Sequence, residues 1–395
     1  MNILVIGNGF DLAHGLPTSY SDFLGFIKYF KTFHDSSVID INTCKTAKNF
    51  KKLSESVQEY LLKDNVRDKT NDLVNELYNI SSNNIWIKHL TKCAEGNRLK
   101  GMNWIDFESE ISKVIKGLEY YRDCLKEKIR KGNEVCTPED KTLFDIGYNF
   151  LNENKKSFDS SFRIEGFYDY GAKEIINKLN DELNNLIRCL EIYLEDVVGK
   201  INIEKKLPDI EDKQLDKLIS FNYTDTFKKI YDKDDRVETD YIHGSLDISK
   251  NIEKNNMVLG IDEYLQGNKK REELDFIQFK KYFQRIYKKT GCKYKKWLEN
   301  IKPIQAQMYP NGMDRNSNSG YVNNVYIYGH SLDITDKDIL RELILFPNTQ
   351  VNIFYYNKDD YAQKIRNMVA LIDQDELIDR VYGENPKIVF REIKK

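Results

Sequence analysis

No run in the 395 residues approaches the roughly 18 consecutive apolar positions of a membrane-spanning helix, and no basic region precedes the short apolar run Ile3-Leu4-Val5-Ile6 at the amino terminus. A secretory leader and a bilayer span are both excluded as expectations, so the chain is expected to be cytoplasmic and without membrane contact. Cysteine is sparse and scattered: Cys44, Cys93, Cys124, Cys136, Cys189 and Cys292 include no Cys-x-x-Cys pair, which removes zinc ribbons and leaves reduced thiols as the expectation. An excess of one charge is missing as well. The 61 Lys plus Arg against 63 Asp plus Glu give a net charge of −2, so no global field favours nucleic acid or an anionic surface. Proline is nearly absent between residues 42 and 206, where Pro138 stands alone.

What is present is ample core material, 40% apolar with 31% charged residues, in a length that suits two or three units. Residues 2–6 form a short apolar run that ends in glycines, the pattern of a buried strand entering a tight loop. Ser19-Tyr20-Ser21-Asp22 has the form of a capping box, and Phe23, Phe26, Ile27 and Phe30 follow at helical spacing. From 42 to 206 apolar residues recur every three or four positions, as in Phe107-Ile111-Val114-Ile115-Leu118, predicting a helical block. Strand-like runs return at 218–221, 240–243, 257–260, 325–329 and 351–355, with a last edge strand at 387–391, and helices are expected at 335–345 and 358–372. Residues 264–300 read as a second, Lys-rich and aromatic-rich helical insert. Strands alternating with helices predict an α/β fold with a parallel sheet. The core would comprise residues 1–40 and 210–392, the large helical insertion 42–206 would follow the first βα unit, and the smaller insert would interrupt the core. The polar stretches 132–140 and 311–320 read as loops.

The chemistry-bearing residues gather at strand ends. Gly7-Asn8-Gly9-Phe10-Asp11 follows the first strand, where open α/β sheets bind ligands. Gly7 and Gly9 would let backbone amides approach a diphosphate, and Asp11 would bond backbone or a ribose hydroxyl. A plain turn explains the glycines equally well. Ser220-Phe221-Asn222-Tyr223 closes a later strand, with Asn222 a helix cap or a ligand contact. Tyr241-Ile242-His243-Gly244-Ser245 puts a histidine at a strand end, structural or catalytic. Ile327-Tyr328-Gly329-His330-Ser331-Leu332 ends another, followed by Asp333 and Asp336. Asp106 and Glu108, beside Trp104, raise magnesium binding, although residues two apart on a helix diverge and capping or ion pairing is the commoner role. Lys and Arg interleaved with aromatics from Lys269 to Trp297 raise nucleic-acid binding, against an amphipathic helical pair.

Gly7-Asn8-Gly9-Phe10, then four residues, then Gly15-Leu16-Pro17, is similar to the sirtuin loop that runs Gly-Ala-Gly-Ile and reaches Gly-Ile-Pro at the same spacing. The continuation through Thr18-Ser19-Tyr20 and Asp22-Phe23-Leu24, with Asn103-Trp104-Ile105-Asp106-Phe107-Glu108, resembles more closely the AbiH abortive-infection family. Asn222 stands where the sirtuin Thr-Gln-Asn-Ile places an Asn on the nicotinamide ribose, and His243-Gly244-Ser245 is similar to the segment carrying the sirtuin catalytic histidine. The resemblance covers about 1–30, 215–262 and 320–392. It implies a sirtuin-like Rossmann core binding NAD through Gly7, Asn8, Gly9, Phe10, Asp11, Asn222, Gly329, His330 and Ser331, with Asn222 and His243 catalytic. The sirtuin zinc module is missing, and Thr224 stands where sirtuins carry an Asp, so deacylation is not expected. The implied function is anti-phage defence by hydrolysis of NAD, needing no metal, with a homo-oligomer and a phage-derived trigger or defence partner as implied associates, and nucleic acid and membrane not among them. An NAD or ADP-ribose sensor and a nucleotide-directed nuclease or hydrolase are the alternatives.

Overall fold

Residues Ile3, Leu4, Val5 and Ile6 are all buried, which places the first strand in a sheet covered on both faces. A computed structural model describes residues 1–35, 47, 49–99, 105–131, 139–308 and 323–394. Its sheet has six strands: β1 Asn2–Ile6, β2 Lys217–Ser220, β3 Glu238–Tyr241, β4 Asn323–Tyr328, β5 Thr349–Tyr355 and β6 Ile388–Glu392. The order is β3-β2-β1-β4-β5-β6, and every neighbouring pair is parallel. This is an open α/β sheet of the Rossmann-like kind, as the alternating pattern predicted. Strand order reverses between β1 and β4, where Val5 faces Ile219 on one side and Ile327 on the other.

The chain divides into two compact units, Met1–Thr18, Lys200–Leu246 and Lys289–Lys395 in one, Ser19–Gly199 and Asp247–Lys288 in the other. In the first, Ile3, Val5, Ile327 and Ile353 pack with Leu340, Leu343, Met368 and Leu371 on one sheet face, and Leu4 and Ile6 pack with Phe10, Ile210 and Phe227 on the other. Helices Lys337–Ile344 and Lys358–Ile372 follow β4 and β5 in the chain. Tyr294, Trp297 and Leu298 of the Lys293–Met308 helix join the first of these cores.

The second unit is helical. The Tyr20–Asp35 helix opens on the predicted capping box: the Asp22 amide donates to Ser19 Oγ at 3.1 Å, and the Ser19 amide to Asp22 Oδ2 at 3.2 Å. The Phe107–Arg130 and Lys141–Glu153 helices approach so closely that a Cβ on Gly147 would lie 2.3 Å from the Gly117 carbonyl oxygen. Asp106 accepts from the Glu108 amide at 3.0 Å as the cap of the Phe107–Arg130 helix, Phe107 stacks on Tyr20 with centroids 4.0 Å apart, and Glu108 pairs with buried Lys281 at 2.8 Å. These two carboxylates therefore do structural work, and the magnesium reading of the pair gives way. Arg188, buried on the Tyr170–Ile192 helix, pairs with Glu76 at 2.8 Å and with buried Glu191 at 2.7 Å.

Met257–Gly260 forms no strand. The run is buried, but its vicinity pairs through an isolated bridge between Ile261 and Lys280, because three apolar side chains satisfy burial in any extended segment. Of the Lys269–Trp297 aromatics, Phe276, Phe279, Tyr294 and Trp297 are core residues, and Phe283 stacks on exposed Tyr287. Asn103, Trp104, Cys44, Cys136 and the expected loop 311–320 lie outside the described residues, as does 132–138. Among the described residues, no helix is long and apolar enough to cross a membrane.

Candidate functional site

Gly7 and the first turn of the short Asn8–Ala13 helix, which follow β1, lie on the loop after β4 at the point where strand order reverses, so the expected glycine loop is the start of a helix. The Gly7 amide donates to the Tyr328 carbonyl at 3.2 Å and the Gly9 amide to the Gly329 carbonyl at 2.8 Å. A Cβ on Gly9 would sit 2.8 Å from the Gly329 Cα, and one on Gly329, whose φ is +67°, would sit 2.1 Å from the Phe10 nitrogen. Close approach of two backbones is thus what glycine supplies at these positions. The Phe10 amide is engaged too, by the Gly7 carbonyl at 2.8 Å. Three of the amides that the sequence offered to a diphosphate are bonded inside the protein, and the Phe10 ring is core, packed among His14, Phe227, Tyr231 and Tyr328. Asn8 is exposed, and its Oδ1 accepts from Thr18 Oγ1 at 2.6 Å.

Behind this loop Asp11 is buried at 1% exposure, and its Oδ2 accepts from Thr224 Oγ1 at 2.6 Å. Thr226 Oγ1 donates in turn to Thr224 at 3.2 Å. Asp11 Oδ1 is buried without a hydrogen-bond partner. Burial pushes the carboxyl up to about 6, against the opposing pull of Thr224, Thr226 and Asn222. Asn222 does not cap a helix: its Nδ2 donates to the Gly7 carbonyl at 3.0 Å, tying the end of β2 to the end of β1. The Thr226–Tyr231 helix begins instead after Asp225, with no side-chain cap. Where the sirtuin pattern has an Asp two residues beyond the Asn, Thr224 holds the Asp11 carboxylate.

A second cluster joins the ends of β3 and β4. His243 Nε2 lies 3.1 Å from Asp336 Oδ1, and His330 Nε2 lies 3.6 Å from Asp336 Oδ2. All three side chains are buried. His330 Nδ1 accepts from the Leu332 amide at 2.9 Å, so in the neutral ring the proton is on Nε2 and faces the carboxylate. The Phe221 ring stands edge-on to both imidazoles, with centroids 5.4 Å from His243 and 4.3 Å from His330. Buried Lys364 donates to the His330 carbonyl at 2.8 Å and Asn367 to the Ser331 carbonyl at 2.8 Å, fixing a loop in which Leu332 has a φ of +62°. Ser331 itself is exposed.

Of the residues read from the sequence, Gly7, Asp11 and Asn222 thus meet in one group, and His243 and His330 in another, all in the segments that follow the carboxyl ends of β1 to β4, Asp11 on the Asn8–Ala13 helix. Asp336, which unites the histidines, carried only a weak signal, one of two acids after Leu332; the other, Asp333, caps its own turn by accepting from the Thr335 amide at 3.0 Å. Lys364 had none. A cavity of about 310 Å³ lies elsewhere on the same unit, lined by Lys213, Tyr326, Asn352, Phe354 and Arg391 among others, and shares no residue with either group.

Fold and site together define a Rossmann-like protein with an acid–histidine constellation at the switch point of its sheet. The chain belongs to the family Bacteriophage abortive infection AbiH, which matches residues 3–357. That membership associates it with anti-phage abortive infection. No curated protein and no solved structure matches it.

Proposed function

We propose that this chain is an abortive-infection effector that binds NAD at the carboxyl edge of its sheet and hydrolyses the nicotinamide–ribose bond. The observation that carries the reading is the convergence of the loops after β1, β2, β3 and β4 at the point of strand reversal, the place where open α/β sheets take dinucleotides. The residues gathered there suit the reaction. The C1′–N bond breaks with its electron pair leaving on nicotinamide, an oxocarbenium-like ribose follows, and water adds to C1′, yielding ADP-ribose and a proton. Asp11, whose carboxyl titrates near 6, supplies negative charge to the cationic state at neutral pH. His243 takes the proton of the water, and Asp336 sets the orientation of its ring. Asn222 orients the ribose or the water.

With the amides of Gly7, Gly9 and Phe10 engaged, the diphosphate takes its contacts from Asn8, Ser331 and the rest of the loop surface. The test is release of nicotinamide from NAD by the purified chain, beside the same assay on His243→Ala and Asn222→Ala with matched melting curves. Turnover lost in both variants supports the reading. Binding of NAD without turnover in the parent protein transfers the assignment to a sensor, and no change in melting temperature with NAD, ADP-ribose or related nucleotides overturns the site.

A further inference from the structure

The helical unit holds a cluster that none of this chemistry uses. His89 and Cys93 stand four residues apart, one turn, on the Ile85–Leu99 helix, and Glu110 reaches them from the Phe107–Arg130 helix. The His89 Nε2 and Cys93 Sγ atoms are 3.5 Å apart, and one ligand atom from each of the three residues falls within 4.8 Å of the others. Zn–N bonds of ~2.0–2.1 Å and a Zn–S bond of ~2.3 Å at a tetrahedral angle set N and S about 3.6 Å apart. The two side chains already hold that separation.

We propose that His89, Cys93 and Glu110 form a zinc site with a fourth position for water. Nitrogen, sulfur and oxygen donors suit zinc, whereas magnesium and calcium favour oxygen alone. Thiolate and carboxylate together balance the charge of the ion, and the thiol proton leaves to solvent as the metal binds. The three residues are partly buried, which leaves the ion a route of entry. On one side the His89 ring packs edge-on to Phe150 at 5.3 Å. Lys113 holds one Glu110 oxygen at 2.7 Å, orienting the carboxylate and leaving its other oxygen for the metal. Lys92, the other nearby cation, is paired with Glu153. The bound ion would fasten the two helices to each other.

The test uses the full chain, stripped with a chelator and titrated with Co²⁺. One equivalent should produce tetrahedral visible bands and a near-ultraviolet thiolate-to-cobalt band, both erased by an equivalent of Zn²⁺, which should also raise the melting temperature. Cys93→Ser should remove the near-ultraviolet band, Glu110→Gln should weaken binding at least about tenfold, and Cys292→Ser, at an exposed thiol, should change neither. Should Cys93→Ser fail to fold, His89→Gln takes its place and should likewise abolish stoichiometric binding. Absence of a stoichiometric band, a weak octahedral spectrum, or a band that survives Cys93→Ser and vanishes with Cys292→Ser each overturns the site.

Discussion

The Thr224 hydroxyl donates to the Asp11 carboxylate at 2.6 Å across 213 positions of sequence. Through this bond the loop after β2 holds a buried acid that belongs to the short helix after β1, close to the strand ends. Its burial ties the stability of the fold to pH.

Asp11 binds its proton more tightly in the folded chain, where its carboxyl sits at about 6, than in the unfolded chain, where it sits near 3.8. Between those values the native state carries more protons than the unfolded one, so this group's contribution falls as pH rises and is lowest above 6. The gap corresponds to about 3 kcal/mol. Asp11→Asn should therefore raise the urea midpoint at pH 7.5, leave it nearly unchanged below pH 4, and abolish nicotinamide release. A variant less stable than the parent at pH 7.5 would show that the carboxylate is held by more than Thr224.

At Gly329 two obstacles coincide, a φ of +67° and backbone atoms of Gly9 and Phe10 within 2.9 Å of any Cβ. Gly329→Ala should unfold the sheet unit or lower its stability by more than ~3 kcal/mol. Gly15→Ala meets only the first obstacle, since φ there is +78° with nothing within 4 Å, and should cost about 1–2 kcal/mol. Equal losses in urea unfolding would contradict the close approach of the two loops.

Asp336 touches both imidazoles, and in the proposed hydrolysis it acts as a positioning residue with no place in bond breaking. Asp336→Asn should lower kcat for nicotinamide release by roughly 10²-fold or more with KM little changed, whereas His330→Ala should raise KM. Loss of affinity alone in Asp336→Asn would assign the acid to binding.

In the helical unit, Arg188 answers both buried Glu191 and Glu76. Arg188→Met leaves Glu191 without its counter-charge and should cost about 3–5 kcal/mol in denaturant unfolding. Adding Glu191→Gln, which keeps an acceptor for the Asp247 amide at 3.1 Å, should restore part of the loss. An additive double variant would show that the pair does not interact.

The parts of the fold visible in the sequence were those written in short-range pattern. Strands β1, β4 and β5 each carry buried Val and Ile, the Lys358–Ile372 helix falls on the expected residues, and the Ser19 capping box is complete within four positions. Met257–Gly260 misled because apolar character reports burial and not pairing. At the site, residue types were legible and partnerships were not. Nothing local joins His243 to Asp336, 93 positions apart, or reveals that the Gly9 amide is taken by Gly329. Glycine at 7 and 9 suits a phosphate and a neighbouring backbone alike, and only the fold decides between them.

Neighbours β1 and β2 are separated along the chain by Ser19–Gly199. On the ribosome, at roughly 5–20 residues per second, the ~210 residues between them take on the order of ten to forty seconds to emerge. Throughout that interval β1 has neither of its sheet neighbours, β2 and β4, and the nascent product lacks Asn222, His243 and Asp336 altogether. A message cut short within that interval yields a fragment that holds β1 but neither of its partners in the sheet, so the order of synthesis makes the site an all-or-none product of the complete message.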